Sequence, residues 1–276
     1  WEFLPATALL SFAPHYHTLS VTRELKGIVD TIKKDHFVET PAFLRNLAML
    51  ILSSYADILY LSHRARMAEW MPLMQAIFER VIMTEKNSLA SEETVVTRFS
   101  LEGTGLWAPA LDAMARMARE TGAAEDGAQF QRMSALFYAH YQSNLYTYCP
   151  AGSTQECAST GADGEPLVDI DVLAGPCFSR MLGLEPPAVV GDMVTSLAAE
   201  PGIASGTDAC VSVRTCAVGV LARLLYKGKG GGSAPEIRAL FKSMYNQTVI
   251  RPHKTPAPAA LPGPDTLACW AVLQAA

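Results

Sequence analysis

Residues 40–61 read TPAFLRNLAMLILSSYADILYL. Thr40 carries a hydroxyl that can accept from a free backbone N–H at a helix start, and Pro41 follows where a missing donor costs nothing. Behind them Phe43, Leu47, Leu50, Ile51, Ser54, Ile58 and Leu61 recur at spacings of three and four. Arg45, Asn46, Ser53 and Asp57 fall on the other side of such a helix. Leu44, Tyr55 and Leu59 widen the apolar face to roughly half the circumference at 100° per residue. The spacing predicts one long helix packed from two sides.

Working toward the C terminus, a partner helix is expected after Pro72, with Met74, Ile77, Phe78, Val81 and Ile82 on one stripe and Gln75, Glu79 and Lys86 facing away. A shorter helix is expected over 88–100, opened by Ser88 or Ser91. Trp107, Ala110, Leu111, Met114 and Met117 align over 105–121, with Gly122 as the stop. Phe130, Met133, Phe137, His140, Tyr141 and Asn144 share one side of a helix over 126–147. Residues 148–165 hold Pro, Gly, Ser, Thr and Asp without apolar periodicity and read as a long loop. A helix ending near Gly183 follows, bent or interrupted at Gly175-Pro176, and Pro186-Pro187 restarts the chain into Val189, Val190, Met193, Val194 and Leu197. Residues 207–226 are apolar nearly all round and are expected to form a central buried helix. The run KGKGGGS, 227–233, reads as a connector, and Ile237, Leu240, Phe241 and Met244 give one more amphipathic helix. Five prolines between Arg251 and Pro264 favour an extended run, closed by a short helix around Leu267, Trp270 and Leu273.

Period-two alternation is scarce and hairpin turns are absent from the pattern, so no sheet is expected. The fold class is therefore all-α: a bundle or array of antiparallel amphipathic helices, with a degenerate α-solenoid as its variant. No fixed-period repeat names a repeat class. The organisation is a helical region over 1–147, a loop over 148–165, a helical region over 166–250 and a proline-rich tail over 251–276.

Toward the N terminus, the stretch from Phe3 to Thr22 has no charge but carries Pro5, Pro14, His15 and His17. Neither it nor the uncharged run between Arg45 and Asp57 supplies the roughly 18 consecutive apolar residues of a membrane span. No span and no secretory signal are expected. The chain starts at Trp1, so its compartment is left open, with a mitochondrial or other organellar home as the working expectation.

The 276 residues are 50% hydrophobic and only 18% charged, with a net charge of −5 and a pI near 5.7. A surface this poor in charge favours permanent assembly with other protein subunits. The acidic balance opposes a phosphate-backbone partner, so RNA is the disfavoured alternative. Six cysteines are spread too thinly for a disulfide framework; only Cys149 and Cys157 bracket a loop that could close.

No catalytic, cofactor or metal set is expected. His15 and His17 could share one side of a strand as metal ligands, but nothing nearby completes four ligands, so structural or solvent-facing roles are favoured. The residues three before each histidine are never Glu, which removes the di-iron pattern of helical bundles. Cysteine spacings fit no zinc motif. KGKGGGS lacks the order of a phosphate loop, and Gly202-Ile-Ala-Ser205-Gly206 has the wrong spacing for a nucleophile elbow. The carboxylates at Glu92-Glu93 and at Glu165, Asp169 and Asp171 suit helix starts. Tyr138, Tyr141, Tyr146 and Tyr148, with Trp270, are the candidate interface residues, because tyrosine buries area while keeping a hydrogen bond. The expected function is a non-enzymatic scaffold or accessory subunit of a multi-protein assembly. Its alternatives are an RNA-associated helical-repeat protein of an organellar ribonucleoprotein such as a ribosome, and an enzyme whose site assembles only in three dimensions.

Overall fold

A computed structural model describes residues 14–34, 39–83, 95–148, 159–160, 166–167, 170–184 and 186–192. Six helices carry this part of the chain: α1 (Pro14–Lys33), α2 (Pro41–Leu61), α3 (Ala65–Val81), α4 (Leu101–Glu120), α5 (Ala124–Tyr148) and α6 (Ala174–Met181). A 3-10 turn, Ile170–Leu173, leads into α6, and 188–192 form one further helical turn. Among the described residues the all-α expectation holds, with one exception: a two-residue antiparallel pair, β1 (Ser159–Thr160) with β2 (Pro166–Leu167), within the expected loop region. The helix expected over 207–226, the glycine-rich connector, the helix at 237–244 and the proline-rich tail lie outside the described residues, as do Cys149 and Cys157.

The 40–61 run forms α2, with Thr40 extended at the N-cap and its Oγ1 accepting from the Phe43 N–H at 3.2 Å. Leu44, Leu47 to Leu52 and Ile58 are all buried, because α1, α3 and α4 cover α2 on several sides. Among the described residues α2 is the one helix long and apolar enough to cross a membrane, and most of it is buried against these neighbours.

The centre belongs to α4, which touches α2, α3, α5, α6 and the 3-10 turn. Its sequence explains why. Gly103, Gly105, Ala108, Ala110, Ala113, Ala115 and Ala118 are small on every side and all buried, so neighbouring backbones come close. Trp107, Leu111, Met114 and Met117 fill the remaining volume; each such fully buried side chain stabilises by about 1.5–3 kcal/mol. The helix begins at Leu101, four residues before the expected start, behind Ser100, whose Oγ accepts from the Gly103 N–H. It ends where expected: Gly122 at φ +86 lets the Ala123 N–H reach the Ala118 carbonyl. Gly183, at φ +64, closes α6 in the same way through Leu184 and Ser179.

Three readings need correction. Residues 14–33 are helical although no helix was expected there: α1 lies on α2 and α3 through Val21, Leu25 and Val29, and that packing outweighs the weak propensity of its His, Ser and Thr residues. Pro72 sits inside α3 rather than before it; the helix already runs from Ala65. Ser53 and Asp57 are buried, not solvent-facing, since α2 has no solvent side at their level. Beyond the expected loop, α6 packs on α4 and so shares the core of the region before it.

Candidate functional site

One buried carboxylate organises the most concentrated chemistry. Asp57 lies one turn before the end of α2 and is wholly shielded from solvent. A charge in that position requires partners on all sides, and three supply them. The Thr18 hydroxyl donates to Oδ2 at 2.6 Å, the His17 Nδ1 lies 2.9 Å from the same oxygen, and the His63 Nδ1 lies 2.9 Å from Oδ1.

Local structure brings these groups together. On α1, residues 15 and 17 are some 200° apart by the 100° advance per residue. His15 therefore faces solvent while His17 is buried. His63 reaches back because Ser62 adopts φ 55, ψ 29, a left-handed conformation that reverses the chain after α2. Below the carboxylate, Trp70 Nε1 donates to Thr22 at 3.1 Å and Lys26 bridges to Glu69 at 2.8 Å, holding α1 to α3.

The electrostatics follow from this geometry. Burial is the largest single influence on Asp57 and disfavours its charge, but hydrogen bonds from His17, Thr18 and His63, with the charge of His17, together outweigh it. The carboxyl titrates below its ordinary 3.8. Glu69 is also held below the usual range, by hydrogen bonds from Lys26 and Arg66.

The two imidazoles differ in access. His17 Nε2 is buried with no hydrogen-bond partner. His63 is about one-third exposed, at 36%, and lines a cleft of ≈ 400 Å³ with His15, Thr18, Leu19, Ala65 and Arg66. With Nδ1 committed to Asp57, Nε2 is the ring nitrogen left for a ligand. A carboxylate-braced imidazole can accept a proton there or, once protonated, donate to an anion. The cleft lining contains no serine or cysteine to act as nucleophile, and the Thr18 hydroxyl is already given to Asp57. Among the described residues no group of three or more His, Cys, Asp or Glu side chains could hold a metal ion.

A second, wider groove of ≈ 610 Å³ runs between α4 and α5. Its arginines serve the fold: Arg116 pairs with Asp112 at 3.2 Å and donates to the Gly183 carbonyl, and Arg119 donates to Ala115 and Gln131.

Two of the candidate interface tyrosines, Tyr138 and Tyr141, are buried within this chain. Tyr141 is fully buried and donates to the Val172 carbonyl at 2.8 Å; Tyr138 is buried against Ser179, its hydroxyl 2.9 Å from Oγ. Burial pushes the Tyr138 hydroxyl pKa well up, so it stays protonated. Both rings join α5 to the segment 172–179. Tyr146 and Tyr148 belong to the last turn of α5, and their side chains, like Trp270, lie outside what the structure describes. Cys177 is a fully buried thiol raised by desolvation, as fits a core residue.

Sequence reasoning missed Asp57 and His63. The available signal was a single carboxylate embedded in an otherwise apolar helix, which has no reason to be there without a buried partner. No family model, curated protein or solved structure matches the chain.

The left-handed Ser62 gives a direct check on the corner. For a side chain with a Cβ that conformation costs roughly 1 kcal/mol or more, and glycine is free of it. Ser62→Gly is expected to raise stability by about 0.5–1 kcal/mol after the extra unfolded-state entropy of glycine is subtracted. A thermal melt showing lower stability would mean that the serine side chain contributes more than its backbone conformation costs.

Proposed function

We propose that this chain is a non-enzymatic helical scaffold or accessory subunit of a larger multi-protein assembly. The observation that carries the reading is the pair Leu59 and Tyr60, 45% and 57% exposed at the end of the most apolar helix. Two large apolar side chains left exposed at one end of the helix, on a chain with only 18% charged residues, gain from a covering partner. Tyr60 is presented rigidly, since its hydroxyl donates to the Met181 carbonyl at 2.7 Å and ties α2 to α6. A fixed aromatic anchor loses little entropy on association.

Native purification from the source cells with mass determination tests this. The expected result is an assembly well above the 29.8 kDa of one chain, weakened by Leu59→Lys and Tyr60→Lys while circular dichroism stays unchanged. A monodisperse 29.8 kDa species that binds no apolar dye would defeat it. The Asp57-braced His63 beside a cleft favours one second reading, an enzyme whose site assembles only in three dimensions.

A further inference from the structure

The fold fixes the two arginines of the wider groove between α4 and α5 without using all their donors. Arg119 gives Nε–H to the Ala115 carbonyl and Nη2–H to Gln131 Oε1, each at 3.2 Å. These bonds hold the guanidinium in place, yet among the described residues Nη1 has no acceptor and no carboxylate pairs with Arg119. They also orient the amide of Gln131: with Oε1 taken by Arg119, the Nε2 donors are left without an acceptor beside Nη1. Both residues line the groove.

The charges of the lining decide the sign of a ligand. Arg116 is matched by Asp112 at 3.2 Å, a carboxylate only 13% exposed, so the unmatched Arg119 leaves the lining at +1. One unmatched positive charge suits a monovalent anion, and two neighbouring donor groups suit the two oxygens of a carboxylate. The groove, at ≈ 610 Å³, has the size of a small-molecule site. On the same face of α5 as Gln131, Ala135 and Ala139 follow about 6 and 12 Å along the axis, at 1.5 Å per residue. With the Tyr138 ring and Pro187 they give the groove an apolar stretch next to its charged end. We propose that this groove binds a small carboxylate with a flat apolar body. The carboxylate sits on Arg119 Nη1 and Gln131 Nε2, and the body covers Ala135 and Ala139. The site is separate from the partner surface, because Leu59 and Tyr60 are not part of its lining.

Phenylbutyrate is the probe, with phenylbutanol and phenylbutylamine as controls, followed on the full chain by calorimetry and by nitrogen-15 shifts of the Gln131 amide and the Arg119 guanidinium. The acid is expected to bind and to move both resonances, and neither control is expected to do so. Added salt is expected to weaken binding, because ions screen an exposed arginine. Arg119→Ala is expected to weaken the acid about tenfold, the worth of one charge-assisted hydrogen bond, and Gln131→Ala about threefold, the worth of a neutral one. Ala135 is exposed, so Ala135→Glu is expected to keep the circular dichroism of the wild type and to abolish binding by setting a like charge under the body. Equal binding of the amine, no response to the acid, or an affinity that survives both Arg119→Ala and Ala135→Glu would each overturn the proposal.

Discussion

Gly175→Ala is expected to detach α6 from the centre of the molecule and to destabilise the fold by about 4 kcal/mol or more, a size reserved for substitutions with no room to relax. A Cβ built on Gly175 lies 1.8 Å from the Gly105 carbonyl oxygen and 2.2 Å from its carbon, with the Leu106 nitrogen at 2.8 Å. All three are backbone atoms of α4, which cannot rotate away as a side chain would. Overpacking ordinarily costs about 1–3 kcal/mol because neighbours shift rotamers; here an entire helix must move. That motion would also expose Cys177 and Phe178 and separate Ser179 from Tyr138. Urea denaturation measures the effect, which is a large fraction of a total stability of about 5–15 kcal/mol. Gly27→Ala is the internal control. Nothing lies within 4 Å of that position on α1, and replacing a helical glycine in open space should stabilise by about 0.5–1 kcal/mol. Wild-type stability in Gly175→Ala would mean that α6 is not seated on α4 as described.

The contrast between those two glycines shows what a sequence does and does not carry. Local signals transferred well: Thr40 caps α2, and Gly122 and Gly183 end their helices in left-handed geometry, because capping depends on residues within one turn. The central role of α4 was harder to see. Its periodicity was visible, but its small residues are an instruction about neighbours, and only the approach of Gly175 to Gly105 gives them meaning. Helix α1 was missed for a related reason, since its helicity is maintained by contacts with α2 and α3 rather than by strong helix formers. Tyr138 and Tyr141 illustrate the limit of composition. A dense set of tyrosines looks like a surface, yet both hydroxyls find partners 31 and 41 residues away inside the chain. The Asp57 site was invisible for the same cause: His17 and Thr18 are separated from it by 40 and 39 residues. Reading a polar residue as the outward side of a helix assumes that the helix has such a side, and α2 does not have one at Asp57.

Asp57→Ala is accordingly expected to destabilise by about 3–5 kcal/mol, the range for deleting one partner of a buried charged network. The loss exceeds that of one hydrogen bond, because the Thr18 hydroxyl and the His17 ring remain buried with their acceptor gone. The pH dependence separates this account from simple cavity formation. In the unfolded chain Asp57 takes its ordinary 3.8; in the folded chain it lies lower. A group whose folded value is depressed contributes stability that is fully present above the unfolded value and is lost as pH falls through the folded one. The wild type should therefore lose stability below about pH 4 through this group, with a steeper slope than a variant that lacks it. Asp57→Asn preserves the size of the side chain and removes the titration. Its urea midpoint should start lower at neutral pH and converge on that of the wild type as both are acidified. If the two curves stay parallel down to pH 2, the carboxylate is not the ionised centre that joins α1 to the end of α2.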